Sequence, residues 1–117
     1  MNIRDIGVVY VRFAGKEGGK RRPIFVTSVK EETFTFFPIT SQYEKKSDRI
    51  KAQYFPIVDW ELCGLIKPSW IDIGSQIEYD LDQVEFMPIG TLGNEATNAL
   101  EEFIYSYPSR LAALEKE

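Results

Sequence analysis

The chain has 117 residues, is 44% hydrophobic and 14% aromatic, and carries a net charge of -4. That length suits one domain over residues 1–117, and no apolar run approaches the ~20 residues that a membrane span needs. With no histidine and one cysteine, Cys63, the sequence excludes a Ser-His-Asp triad, a histidine-ligated metal, a thiolate zinc site and an internal disulfide.

The charge is unevenly spread. Residues 1–51 hold eleven Lys/Arg against six Asp/Glu, a net of +5; residues 52–117 hold three against twelve, a net of -9. A basic half can bind phosphate on an acidic protein, because phosphate contacts are local.

In chain order, Ile6 to Phe13 reads as a strand. The apolar run around it is too short and too interrupted for a signal peptide, so a cytoplasmic protein is expected. Residues 14–22, AGKEGGKRR, read as a glycine-rich basic loop suited to covering a polyanion. Pro23 to Val29 and Thr33 to Thr40 then form a hairpin around Lys30-Glu31-Glu32, since β-branched and aromatic residues dominate both runs. Both of its faces are apolar, which predicts cover on both.

The hairpin register locates the first candidate chemistry. If Val29 faces Thr33, then Arg22 faces Thr40, and directly opposed side chains lie about 5 Å apart at Cβ. A bulge at Pro38 would shift the pairing by one and put Ser41 opposite Arg22.

Residues 41–51, SQYEKKSDRIK, read as a second basic connection. Ala52 to Val58 reads as a strand broken by Pro56. Asp59-Trp60-Glu61 is a turn, and Cys63–Ile66 with Ser69–Ile73 reads as one strand interrupted at Pro68. Gln76 to Tyr79 is a short strand candidate. The carboxylates Asp72, Glu78, Asp80, Asp82 and Glu85 read as an acidic, solvated segment, because their spacing matches no cation-binding loop. Asn94 is the expected N-cap of a terminal helix, whose apolar stripe is Ala96, Leu100, Phe103, Ile104 and Tyr107. Pro108 should stop or kink it. Short strands, turns and one helix predict a mainly β fold, a small barrel with a C-terminal α-helix.

No phosphate-binding loop and no dinucleotide fingerprint is present. What remains is Arg, Lys, Thr and Ser in the basic half. That set suits RNA cleavage, where the substrate's own 2′-hydroxyl attacks the adjacent phosphorus. Arg22 would bind the phosphate bidentately, and Thr40 or Ser41 would donate to a non-bridging oxygen. Basic loops 14–22 and 41–51 would carry the strand, through Lys16, Lys20, Arg21, Gln42, Lys45, Lys46, Arg49 and Lys51. Tyr43 or Tyr54 is placed either to stack on a splayed base or to fill the rim.

At these residues the chain resembles a family. Gly7-Val8-Val9-Tyr10-Val11-Arg12-Phe13, the basic loop and Arg21-Arg22-Pro23-Ile24-Phe25-Val26 look like the opening of MazF/PemK-type toxins. Ile39-Thr40-Ser41-Gln42 resembles their second motif, and Gly64-Leu65-Ile66-Lys67-Pro68-Ser69-Trp70-Ile71 their later strand. The chain departs from many members at Gly7-Val8, where they carry Gly-Asp. The resemblance implies an SH3-like barrel of the CcdB/MazF kind and a homodimer. It implies metal-independent cleavage of single-stranded RNA, with no cofactor, and inhibition by a cognate antitoxin peptide. Arg22 and Thr40 match the family's catalytic arginine and threonine. Two other readings compete: a non-catalytic barrel that binds a protein or peptide, and a CcdB-type topoisomerase poison. The latter lacks support, because its Trp-Gly-Ile ending is replaced by Leu114-Glu115-Lys116-Glu117.

Overall fold

The computed structural model describes residues 1–12 and 18–116. Lys16 lies outside them. Among the described residues, seven strands and two α-helices follow in order: β1 Asp5–Arg12, β2 Gly19–Val29, β3 Thr33–Thr40, α1 Asp48–Lys51, β4 Tyr54–Pro56, β5 Trp70–Asp72, β6 Ile77–Asp80, β7 Val84–Thr91 and α2 Asn94–Glu115, with a short 3-10 turn, Leu81–Gln83, between β6 and β7. The fold is mainly β with a C-terminal helix, as expected. The strands run in the order β4-β5-β3-β2-β1-β7, all antiparallel, with β6 also on β3.

β3 bends the sheet into a small barrel by serving two partners on one edge. Thr33–Phe36 pair with β6, and Ile39–Thr40 pair with β5. The path stays open between β7 and β4. The turn at Cys63-Gly64 packs against β7 across this gap. Gly64 has φ +84°, and a Cβ there would sit 2.2 Å from the Ile89 carbonyl oxygen. Gly90 approaches the Cys63 carbonyl as closely. Only a residue without a Cβ lets two backbones meet this way.

Alternation along the hairpin builds a core on each face. Phe25, Phe37, Ile39, Phe55 and Ile71 join Leu92 and Leu100 of the helix side in one cluster. Val9, Ile24, Val26, Phe34 and Phe36 form the other, covered by Ile77, Tyr79, Leu81, Val84 and Phe86. Both faces are therefore covered within the single chain.

Several expectations need correction. Lys20–Arg22 belong to β2 and not to the preceding loop. The irregularity in the hairpin lies between Val26 and Ser28, so Val29 pairs with Phe34 and not with Thr33. Beyond that bulge the pairs Val26↔Phe36, Phe25↔Phe37 and Ile24↔Pro38 restore the register expected at the open end. Pro38 needs no bulge. It falls between the β6 ladder, which ends at Phe36, and the β5 ladder, which begins at Ile39, so its missing donor is tolerated.

Residues 63 and 64 close a turn that runs over 58–64, residues 65 and 66 are not strand, and only Trp70–Asp72 make the strand. The acidic segment contains β6 and leads into β7. The helix is capped by Gly93, not Asn94, and it continues past Pro108 to Glu115. Pro108 lies on the exposed side of the helix. Arg110 braces this turn, donating from Nη2 to the Phe103 carbonyl at 2.8 Å and from Nε to Ser106 Oγ at 3.0 Å.

Candidate active site

The open end of the hairpin carries the candidate site. Arg22 is two residues from Ile24, and Thr40 is two residues from Pro38. Since Ile24 and Pro38 are directly opposed, Arg22 and Thr40 share their face. On the far side, Thr40 pairs with Trp70 of β5, so Trp70 joins the same face. The opposite face of these strands is the core of Phe25, Phe37, Ile39 and Ile71. A rigid, well-packed layer thus fixes the positions of Arg22, Thr40 and Trp70.

Arg22 is exposed. Among the described residues its guanidinium has no hydrogen-bond or ion-pair partner. It borders a cleft of about 460 Å³ with Lys20 at its rim and Ile24, Phe36, Pro38, Ile77 and Tyr79 along it. Thr40 is half-buried, and its Oγ1 accepts a 3.0 Å hydrogen bond from the Gln42 backbone N–H. That bond occupies a lone pair and leaves the hydroxyl proton free to donate. The Gln42 contribution seen here is therefore its backbone amide, which orients Thr40.

Thr40 and Ser41 also border a second cleft, of about 530 Å³. Arg21, Pro23, Ile39, Ile66, Lys67 and Ile89 line it. Arg21 alternates to the side of β2 opposite Arg22, across from Tyr10. Lys20 and Arg22 therefore share one face, and Arg21 serves the other.

The second basic connection is more ordered than its composition suggested. Ser47 Oγ accepts from the Ile50 N–H and starts α1. Arg49 is ion-paired to Glu115 at 2.6 Å, with both side chains more than half exposed. Lys45 and Lys46 are exposed. Lys51 Nζ lies 4.9 Å from the Tyr43 ring centre. Tyr43 stacks on Trp70 with ring centres 4.6 Å apart and planes 4° apart. No local pattern marks this stack, because it depends on the β3–β5 pairing. Burial, then the Asp72 carboxylate, pushes the Tyr54 hydroxyl above its usual 10.0. Among the described residues no cluster of acidic or sulfur side chains is arranged to hold a metal. None of their helices is long and apolar enough to cross a membrane.

No protein-family model matches the chain, and no curated protein sequence matches it. Among solved structures, the toxin MazF-mt6 of Mycobacterium tuberculosis is similar. The two superpose with a TM-score of 0.66 and are 20% identical, over 91% of this chain and 97% of that one. The chain therefore has the fold of a MazF toxin.

Proposed function

We propose that this chain is an endoribonuclease toxin that cleaves single-stranded RNA at selected sequences, with Arg22 and Thr40 at the scissile phosphate. What supports the reading is the hairpin register: its pairs run to Ile24↔Pro38, and alternation over the next two residues puts Arg22 and Thr40 on one face. A guanidinium without a partner among the described residues offers a fork of donors to two phosphoryl oxygens. The Thr40 proton, left free by the Gln42 amide, donates to a third. Ser41 borders the same end of the strand and is the second hydroxyl within the proposal.

The RNA supplies the nucleophile, its 2′-hydroxyl. As the 2′-hydroxyl attacks phosphorus it gives up its proton to water and forms a 2′,3′-cyclic phosphate, while the 5′-oxygen of the next nucleotide leaves and takes up a proton from water. Negative charge grows on the phosphoryl oxygens as the bond forms. Fixed donors aimed at that charge are often the largest catalytic contribution. Arg22 acts by charge and by the geometry of its donor fork. No metal or cofactor is assigned a role in this reading.

Lys20, Lys45, Lys46 and Lys51 would hold the strand, with Lys16 and Arg49 as further contacts. The reading includes a homodimer in the cytoplasm, held in check by an antitoxin peptide. The cleft with Arg21 and Lys67 over Ile39, Ile66 and Ile89 suits an acidic peptide with apolar side chains. That same cleft supports the alternative of a peptide-binding barrel without catalysis.

The test is incubation with a long single-stranded RNA in EDTA, beside Arg22→Ala. Discrete fragments with 2′,3′-cyclic ends, absent from the variant, are expected. Intact RNA with both proteins folded would leave the peptide-binding barrel as the better reading.

A further inference from the structure

Tyr43, Lys51 and Trp70 make an arrangement that phosphate binding alone does not require. Trp70 stands directly opposite Thr40 and projects to the same face. Tyr43 lies flat on Trp70, with ring centres 4.6 Å apart. Trp70 fills one side of the Tyr43 ring, so the Lys51 ammonium, 4.9 Å from its centre, occupies the other. Tyr54 flanks the stack at 6.3 Å. All four side chains are only half-buried. Among the described residues, Lys51 has no carboxylate partner.

The position of Lys51 is held from below. It ends α1, its own N–H bonds to the Ser47 carbonyl, and Arg110 Nη1 donates to the carbonyl of the adjacent Ala52. The backbone that carries Lys51 is thus anchored, while the ammonium rests over the Tyr43 ring.

Resting on the ribonuclease reading, we propose that Tyr43 on Trp70 is a stacking site for an unpaired nucleobase next to the cleaved bond, and that Lys51 covers it until the base displaces the ammonium. The exchange is favourable by magnitude. A base on an aromatic ring is worth roughly five- to hundredfold in affinity, whereas an ammonium on an exposed ring is worth roughly two- to fivefold. The displaced ammonium keeps its charge and turns to a phosphate of the same strand. The site therefore selects a base that can leave its helix. Double-stranded RNA, with its bases stacked inside, cannot enter.

The test uses a Trp60→Phe background, which leaves Trp70 as the sole tryptophan. The probes are single-stranded oligo(dA) of about 12 nucleotides and an abasic oligonucleotide of equal length and charge. Oligo(dA) should quench Trp70 emission and bind at least about fivefold more tightly than the abasic chain. Tyr43→Phe should keep that preference, and Tyr43→Leu should lose it. Lys51→Met should keep the quench and lower the salt slope of binding by about one. Equal binding of the two probes, or equal behaviour of Tyr43→Leu and Tyr43→Phe, would overturn the stacking site alone. Failure of the parent to bind either probe would likewise overturn the stacking site, while the ribonuclease reading is decided separately by the cleavage of RNA in EDTA.

Discussion

The two faces of the central hairpin have the same apolar start and different ends. On the odd-numbered face, Phe25, Phe37 and Ile39 stay inside a core that continues through Phe55 and Ile71 to the helix. On the even-numbered face, Val26, Phe34 and Phe36 are buried, but the same rows run on to Arg22 and Thr40. One face spends its full length on packing. The other emerges from its core and presents a cation and a hydroxyl at a fixed separation. Positioning comes from the dry face, and chemistry is offered by the wet end of its neighbour.

This contrast can be broken at the core first. Phe34 is fully buried at the packed end of the even face. Phe34→Ala should lower stability by about 3–5 kcal/mol in urea unfolding. A loss under about 1 kcal/mol would mean that this face is not a packed core.

Barrel closure comes next. Gly64→Ala combines a left-handed backbone with a contact on the Ile89 carbonyl, and should cost about 2–4 kcal/mol. Because Ile89 and Gly64 also line the cleft beside Thr40, peptide binding there should weaken too. Parental stability would show that the β4–β7 gap is not closed by this turn.

Alkaline pH gives a smaller effect. Burial, then Asp59, raises the Cys63 thiol above 9.0, and burial, then Asp72, raises Tyr54 above 10.0. Both groups bind their protons more tightly when folded. Their contribution is complete below the unfolded values and is lost as pH rises through the folded ones. The urea midpoint should fall above about pH 9, less steeply in Cys63→Ala/Tyr54→Phe. A midpoint that rises across this range would contradict the assignment.

The smallest effect is at the surface. Arg49 and Glu115 pair with 63% and 54% of their side chains exposed. Arg49→Ala should change stability by no more than about 0.5 kcal/mol. Its effect on RNA retention should be equally modest, because Glu115 already neutralises it.

The hairpin, its open-end register and the terminal helix were legible because they rest on local patterns. Period-two alternation fixed Phe34 to Thr40, and the 3.6-residue stripe fixed Leu100 and Phe103. The β7 strand was not legible. Glu85 and the exposed Met87 and Pro88 interrupt Val84, Phe86 and Ile89, and an edge strand tolerates both the charge and the proline. The bulge between Val26 and Ser28 was not legible, and only Pro38 suggested one, since a proline announces itself locally and a threonine does not. Thr27 Oγ1 instead meets Thr35 Oγ1 at 2.7 Å, a contact visible only once the strands pair. Past Pro108 the α2 turn is bridged by Arg110, and the rings of the Tyr43–Trp70 stack lie 27 residues apart in the chain, brought together by the Thr40↔Trp70 pairing. No local signal carries either.

The most direct test of the site is a double-mutant cycle on single-turnover cleavage of one RNA, using Arg22→Ala, Thr40→Val and both together. Each single variant should be slower by about 10²–10³, the usual loss for one donor to a developing oxyanion. The double variant should be slower than either but by less than the product, because the two groups serve one phosphate. Cleavage by Arg22→Ala at the parental rate, or losses that multiply as for independent sites, would contradict a shared site at the open end of the hairpin.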